Sequence, residues 1–341
     1  MKKISKIFKA LDKNYVEKLF EEKKLIYFPD LKNAQIKNIK IERISHDWAK
    51  ETCIVKYEIY FDGKIVKIFR GSANDPDIFL NTKADAWKII NYIYKRGTDK
   101  ENLVARPVDF IKGINLIIYE EAEGIALSET IQNKKIRPIL KDLHKAAAWL
   151  AKLHALPIKE KLPNAISLKF SDYQIVFQEI LKIIPGLEAE LIPAKKLKSF
   201  ANIPKQKVLI HNDFYPGNII VNQKTALGID FDKAGLGYPL LDVATLYASF
   251  EFPAPVWKLN LLPKEIKDLQ KAFLVAYCQF SQKNYSTVKR ELSQFLPKIF
   301  LDIAYNYSLL TIKGWNFFDL ASKKDNEEKI KALLKKAKQY L

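Results

Sequence analysis

Three oxygen-bearing side chains, Asp213, Asn218 and Asp230, crowd into one short segment, and Asp242 follows them. The segment reads His-Asn-Asp-Phe-Tyr-Pro-Gly-Asn, then Ile-Ile-Val, a turn, Gly-Ile-Asp-Phe-Asp and finally Pro-Leu-Leu-Asp. Ile219, Ile220 and Val221 predict a short strand, Asn222-Gln223-Lys224 a turn, and Ala226-Leu227-Gly228-Ile229 the return. A hairpin that starts after Asn218 and ends at Asp230 sets those two donors side by side. Mg2+ takes few protein oxygens and completes its shell with phosphate oxygens and water, so one Asn and one Asp suffice. Asp213 lies on the loop entering the hairpin, where a carboxylate can accept a hydrogen bond or proton from an incoming hydroxyl. This is the chemistry of phosphoryl transfer: positioning and charge neutralisation, with little covalent work for the protein. A polar turn between core strands also uses Asp and Asn, but it does not need four such positions in this order.

The segment resembles the aminoglycoside phosphotransferase and choline kinase family, which shares the protein-kinase fold. The resemblance rests on His211-Asn212-Asp213, Asn218, Ile229-Asp230-Phe231 and Asp242. It implies that Asp213 is the catalytic aspartate and that Asn218 and Asp230 are Mg2+ ligands. It also implies that Asp242 is a buried brace on the catalytic loop and that His211 supports that loop. ATP would be the phosphoryl donor and a small hydroxylated molecule the acceptor. Leu153-His154 is similar to a pair that ends a helix in the family, which gives His154 a structural part rather than a catalytic one. Glu120, Glu123, Gly124 and Leu127 follow the family's connector, where backbone groups of Glu120, Glu121 and Ala122 would contact the adenine.

The elements around the motif suit that fold. The 341 residues allow a large core and two lobes, and 48% of them are hydrophobic. The expectation is an α+β, bilobal protein-kinase-like fold, with a small antiparallel-sheet N-lobe and a larger, mainly helical C-lobe. Residues 1–33 read as a helical leader with Ile4, Phe8 and Leu11 on one face, then Val16, Leu19 and Phe20. The N-lobe would span 34–122: strands around Ile39 and Val55–Phe61, an Asp62-Gly63 turn, a return to Arg70, a helix over 80–96 and strands near 103–110 and 115–121. The C-lobe would span 123–341, with a helix over 138–155, further helices within 162–206 and three helices over 262–341.

No glycine precedes Gly63, so the Gly-rich loop of protein kinases is absent, which favours small-molecule kinases. A lysine that steadies the nucleotide is expected on the strand after Asp62-Gly63. Lys67 fits, on one face with Ile65 and Phe69; Lys64, or a register that puts Ser72 at the family's basic position, stays open. Asp85 is the only carboxylate in the helix that should supply its partner. The acceptor could be an aminoglycoside, an amino alcohol or a sugar. Asp232-Lys233 stands where choline kinases have Glu-Tyr, which removes the aromatic part of a choline cage.

The net charge of +18 raises nucleic-acid binding as another class, but the lysines are dispersed and no zinc finger, RNA-binding signature or Arg-rich stripe accompanies them. A non-catalytic, spore-coat-type relative that binds nucleotide or glycan is the remaining alternative. The basic amphipathic tail 323–341 reads as a helix packed on the C-lobe, with membrane-surface contact as the other use of such a pattern. No run of 18 apolar residues, no signal-peptide pattern and two widely separated cysteines, Cys53 and Cys278, together predict a cytoplasmic protein.

Overall fold

Alternation of apolar and polar residues over 36–74 becomes sheet. In the computed structural model, β1 (Ile36–Arg43), β2 (Thr52–Phe61), β3 (Val66–Asn74), β4 (Pro107–Ile111) and β5 (Leu116–Glu120) form one sheet in the order β1-β2-β3-β5-β4. Every neighbouring pair is antiparallel. The structure describes residues 6–44, 52–62, 65–75, 83–97, 103–133, 135–168, 170–184, 186–187, 207–252, 261–312 and 323–340. Lys64, Gly63 and the start of the expected 80–96 helix lie outside these residues, as do Pro185, Pro193 and Pro204.

Pairing decides which side chains share a face. Cys53, Val55, Tyr57, Ile59 and Phe61 share one face with Phe69, Ala73, Leu116 and Ile118, and all are buried. The leader packs on this face. It consists of a 3-10 turn at Lys6–Leu11, helix α1 (Lys13–Glu22) and helix α2 (Lys24–Tyr27). Its inward face differs from the helical expectation: Ile7 and Ala10 are buried, while Phe8 and Leu11 are half-buried. With three residues per turn, residues three apart align, which puts Ile7 and Ala10 on the inner line. Val16 and Phe20 are buried, and the Phe20 ring sits 5.4 Å from that of Tyr57. The Tyr57 hydroxyl donates to the Ala10 carbonyl at 2.9 Å, which gives the buried phenol its partner. Helix α3 (Lys83–Arg96) follows β3, and Gly97 ends it by donating its N–H to Ile93 at 3.0 Å.

The chain divides into two compact units, Met1–Glu123 with Phe231–Lys233, and Gly124–Asp230 with Ala234–Leu341. The second unit is mainly helical: α4 (Leu127–Asn133), α5 (Ile136–Ala155), α6 (Phe170–Leu181), α7 (Pro239–Ser249), α8 (Pro263–Phe280), α9 (Tyr285–Ile312) and α10 (Lys323–Gln339). Two small sheets interrupt the helices. In one, β6 (Ile125–Ala126) pairs with β8 (Ile219–Val221), which pairs with β9 (Ala226–Gly228). In the other, β7 (Val208–Ile210) pairs with β10 (Gly235–Gly237). Gly124 begins this unit at φ +135°, and a Cβ there would meet the Val221 carbonyl oxygen at 2.4 Å. Only glycine allows the connector to run so close to the hairpin.

The lysine-rich α10 buries Ile330, Leu333, Leu334 and Ala337, and it packs along α9. Its Lys336 pairs with Glu251 at 2.6 Å. No helix among the described residues is long and apolar enough to cross a membrane.

Candidate active site

The hairpin of β8 and β9 pairs Ile219 with Gly228, Ile220 with Leu227 and Val221 with Ala226. Asn222 shapes its tip: its Oδ1 accepts from the N–H groups of Lys224 and Thr225, each at 2.9 Å. This is an Asx turn, for which asparagine is well suited. Lys145 of α5 anchors the tip by donating to the Asn222 carbonyl at 2.6 Å. At the open end, Ile229 donates its N–H to the Asn218 carbonyl at 3.0 Å. The ladder therefore ends with Asn218 beside Ile229, and Asp230 is the next residue. Asp230 is exposed and takes the left-handed conformation, φ 63°.

Asp213 is half-buried on the loop that enters the hairpin. Asn218 donates its side-chain amide to the Asp213 carbonyl at 3.0 Å, and that nitrogen lies 3.4 Å from Asp213 Oδ2. The amide nitrogen is thus committed to Asp213, and Oδ1 is the atom of Asn218 suited to a cation. Tyr215 lies in the same loop; burial first, then the carboxylates of Asp213 and Asp230, push its hydroxyl's pKa up. It remains a neutral phenol and adds no charge next to them.

Asp242 organises the loop from beneath. It is fully buried in the first turn of α7. Its Oδ2 accepts from the backbone N–H of His211 at 2.8 Å and its Oδ1 from that of Asn212 at 2.6 Å. His154, near the end of α5, adds a third donor: its Nε2 lies 3.0 Å from Asp242 Oδ2. A carboxylate can only accept, so Nε2 donates to it, and Nδ1 lies 2.9 Å from the Tyr277 hydroxyl. The His211 ring reaches the hairpin instead, where Nε2 donates to the Ile229 carbonyl at 2.8 Å. Phe214 stacks on Trp149 of α5 with ring centroids 5.3 Å apart. Asn212 sits at φ 60°, a left-handed position that tolerates Asn or Gly, which accounts for a small residue between His211 and Asp213.

The first unit contains a second polar cluster. Strand alternation splits β3 between two faces. Lys67 falls on the face of Phe69 and Ala73, which the leader helices cover, and makes no ion pair among the described residues. The sheet turns it away from Arg70 and Ser72, which share the opposite face. Arg70 pairs with Glu121 there. Lys83, the first residue of α3, brings its Nζ within 2.9 Å of Ser72 Oγ and 2.6 Å of Asp232 Oδ1. Asp85 makes no such pair among the described residues. The sequence gives no local signal for the Lys83–Asp232 pair, because 149 residues separate its members.

The connector residues are tied into the same sheet. Glu120 pairs with Arg106 at 2.8 Å and donates its N–H to the Arg106 carbonyl. Glu121 donates its N–H to Ile68 at 3.2 Å. The N–H groups of Glu120 and Glu121 are therefore engaged within the sheet, and Ala122 lies past the strand's end.

This arrangement is a protein-kinase-like fold with a polar loop-and-hairpin site. The model of the phosphotransferase enzyme family (APH) matches residues 82–287, and the chain belongs to that family. Solved structures share the fold at low identity. A Plasmodium vivax ethanolamine kinase is 18% identical, with a TM-score of 0.61, covering 96% of this chain and 90% of its own. Choline kinase LicA from Streptococcus pneumoniae is 15% identical, with a TM-score of 0.59, covering 94% and 99%. A thermostable mutant of aminoglycoside phosphotransferase APH(4)-Ia, in a ternary complex with AMP-PNP and hygromycin B, is 15% identical with a TM-score of 0.54, covering 91% and 98%. No curated protein sequence matches the chain.

Proposed function

We propose that the chain transfers the terminal phosphoryl group of ATP to a hydroxyl of a small molecule in the cytoplasm. The observation that carries this reading is the geometry at the open end of the hairpin. There Asp242 holds the loop backbone, Asn218 is bonded to Asp213, and Asp230 stands exposed beside them. The AMP-PNP complex of a structural neighbour supports ATP as donor.

The donor set suits Mg2+. Asn218 and Asp230 offer hard oxygens, and among the described residues no three His, Cys, Asp or Glu side chains gather into a larger cage. Such a sparse set matches an ion that keeps water and phosphate oxygens in its shell. When bound, the ion would neutralise charge on the phosphate oxygens. Asp213 accepts the hydrogen bond of the acceptor hydroxyl and takes its proton as the new O–P bond forms. The bond between the terminal phosphorus and the bridging oxygen breaks, and ADP leaves with that oxygen. His154, His211 and Asp242 are positioning residues: they hold the loop on which Asp213 rides.

The test is phosphate transfer from Mg-ATP to a panel of aminoglycosides, amino alcohols and sugars, read by product mass and ADP release. Transfer to one member supports the proposal and names the acceptor. ATP that binds equally well with Mg2+ and with EDTA, together with no transfer, would sink it. Metal-dependent binding without transfer to any acceptor is the outcome expected of the non-catalytic alternative.

A further inference from the structure

We infer that Lys83, carried by helix α3 rather than by the sheet, contacts the phosphates of the nucleotide, and that Asp232 holds it in position. The inference rests on the phosphoryl-transfer reading above. On the face of β3 opposite the leader, the strand's own cation is Arg70. Arg70 is bonded to Glu121 and Ser72 is uncharged. Lys83 reaches this face from outside the strand and ends on Ser72 Oγ.

The side chain is held at both ends. Its backbone N–H donates to Asn115 Oδ1 at 3.2 Å. Asn115 takes the left-handed conformation, φ 52°, and donates its own amide to the carbonyl and Oδ1 of Asn74 at 2.9 and 2.7 Å. Lys83 itself is only 3% exposed. Lysine is almost never so buried unless it is paired, and the observed partner is Asp232. That partner is the open end of the cluster: the Asp232 side chain remains 31% exposed.

Asp232 also follows the proposed metal ligand Asp230 by two residues. Two residues of chain span about 7 Å at most. A cation held on Asp232 is therefore tied through the chain to the proposed metal ligand two residues away. An ammonium with a preset position strengthens an anion contact without reorganising on binding. Lys67 falls on the other face of β3.

Calorimetric titration of Mg-AMP-PNP and of adenosine into wild type, Lys83→Met, Lys83→Gln and Lys67→Met tests the inference. Lys83→Met is expected to weaken Mg-AMP-PNP roughly tenfold to hundredfold, the range for a lost hydrogen bond to a charged group. Adenosine affinity should not change, because adenosine carries no phosphate. A merely structural ion pair would move both ligands or neither, and either result overturns the inference. So does a selective loss in Lys67→Met instead. If Lys83→Met does not fold, Lys83→Gln, which keeps a donor for Ser72, carries the same expectations. Wild type that fails to bind Mg-AMP-PNP removes the phosphoryl-transfer reading and this inference together. Wild type that binds it while Lys83→Met binds it equally removes this inference alone.

Discussion

Asp242 and Asp232 stand close in sequence but live in different surroundings. Asp242 is fully buried and accepts three N–H donors, two from the backbone of His211 and Asn212 and one from His154. Asp232 keeps about a third of its side chain in solvent and meets a lysine ammonium. The first carboxylate is saturated by groups that cannot leave, so it fixes a loop. The second meets the Lys83 ammonium at an edge that solvent reaches. Burial and donor type, not residue type, separate a brace from a ligand-facing group.

The comparison can be broken at several points. The largest effect is expected at the residue the brace serves. Asp213→Asn keeps shape and removes charge, and turnover on the true acceptor should fall roughly 10²–10⁴-fold while Mg-ATP affinity holds. Retained turnover in a folded variant would remove Asp213 from the reaction.

Next come the two aspartates themselves. Asp242→Asn replaces one acceptor oxygen with an NH2 donor, which faces N–H donors that then lose their partner, and urea unfolding should show a loss of about 3 kcal/mol. Asp232→Asn should cost less, about 2 kcal/mol, because the amide oxygen still faces the buried Lys83 ammonium and water reaches the Asp232 side. Equal losses would erase the distinction between brace and open edge.

Gly124→Ala probes the connector that leads into the second unit. The positive φ and the Val221 carbonyl at 2.4 Å predict a loss of about 1–3 kcal/mol, visible as a lower melting temperature. An unchanged melting temperature would show that the connector relaxes.

The smallest effect concerns Cys53 in the sheet core. Burial pushes its thiol from 9.0 up to about 11, partly offset by Arg43. The native state therefore favours the protonated thiol. Its contribution to stability is complete below about 9 and is lost as pH rises toward about 11. Near neutral pH, a thiol reagent should leave Cys53 unmodified until denaturant is added; prompt labelling of native protein would contradict its burial.

The site in the second unit was legible because its geometry is local. Asn218, the hairpin and Asp230 are adjacent in the chain, so a turn and three ladder pairs suffice to bring the donors together. The left-handed residues Asn212 and Asp230 belong to the same short stretch. The first unit was legible in its strands and helix but not in its polar cluster. Period-two alternation correctly grouped Lys67 with Phe69, yet it could not say which of the two faces the leader would cover. The leader's own inward line shifted to Ile7 and Ala10, since a 3-10 turn and an α-helix need not align the same residues and both fit a short apolar pattern.

By itself the sequence determined the hairpin, the placing of Asp213, Asn218 and Asp230 around it, and the amphipathic faces of the long helices. These follow from spacing over a few residues, where backbone geometry leaves few options. Tertiary structure alone decided that His154 and Asp242 meet, that the leader covers the Lys67 face, and that Lys83 finds Ser72 and Asp232. Those contacts join residues far apart in the chain. Many lysines compete for any one carboxylate in so basic a protein, and only the packed chain selects among them.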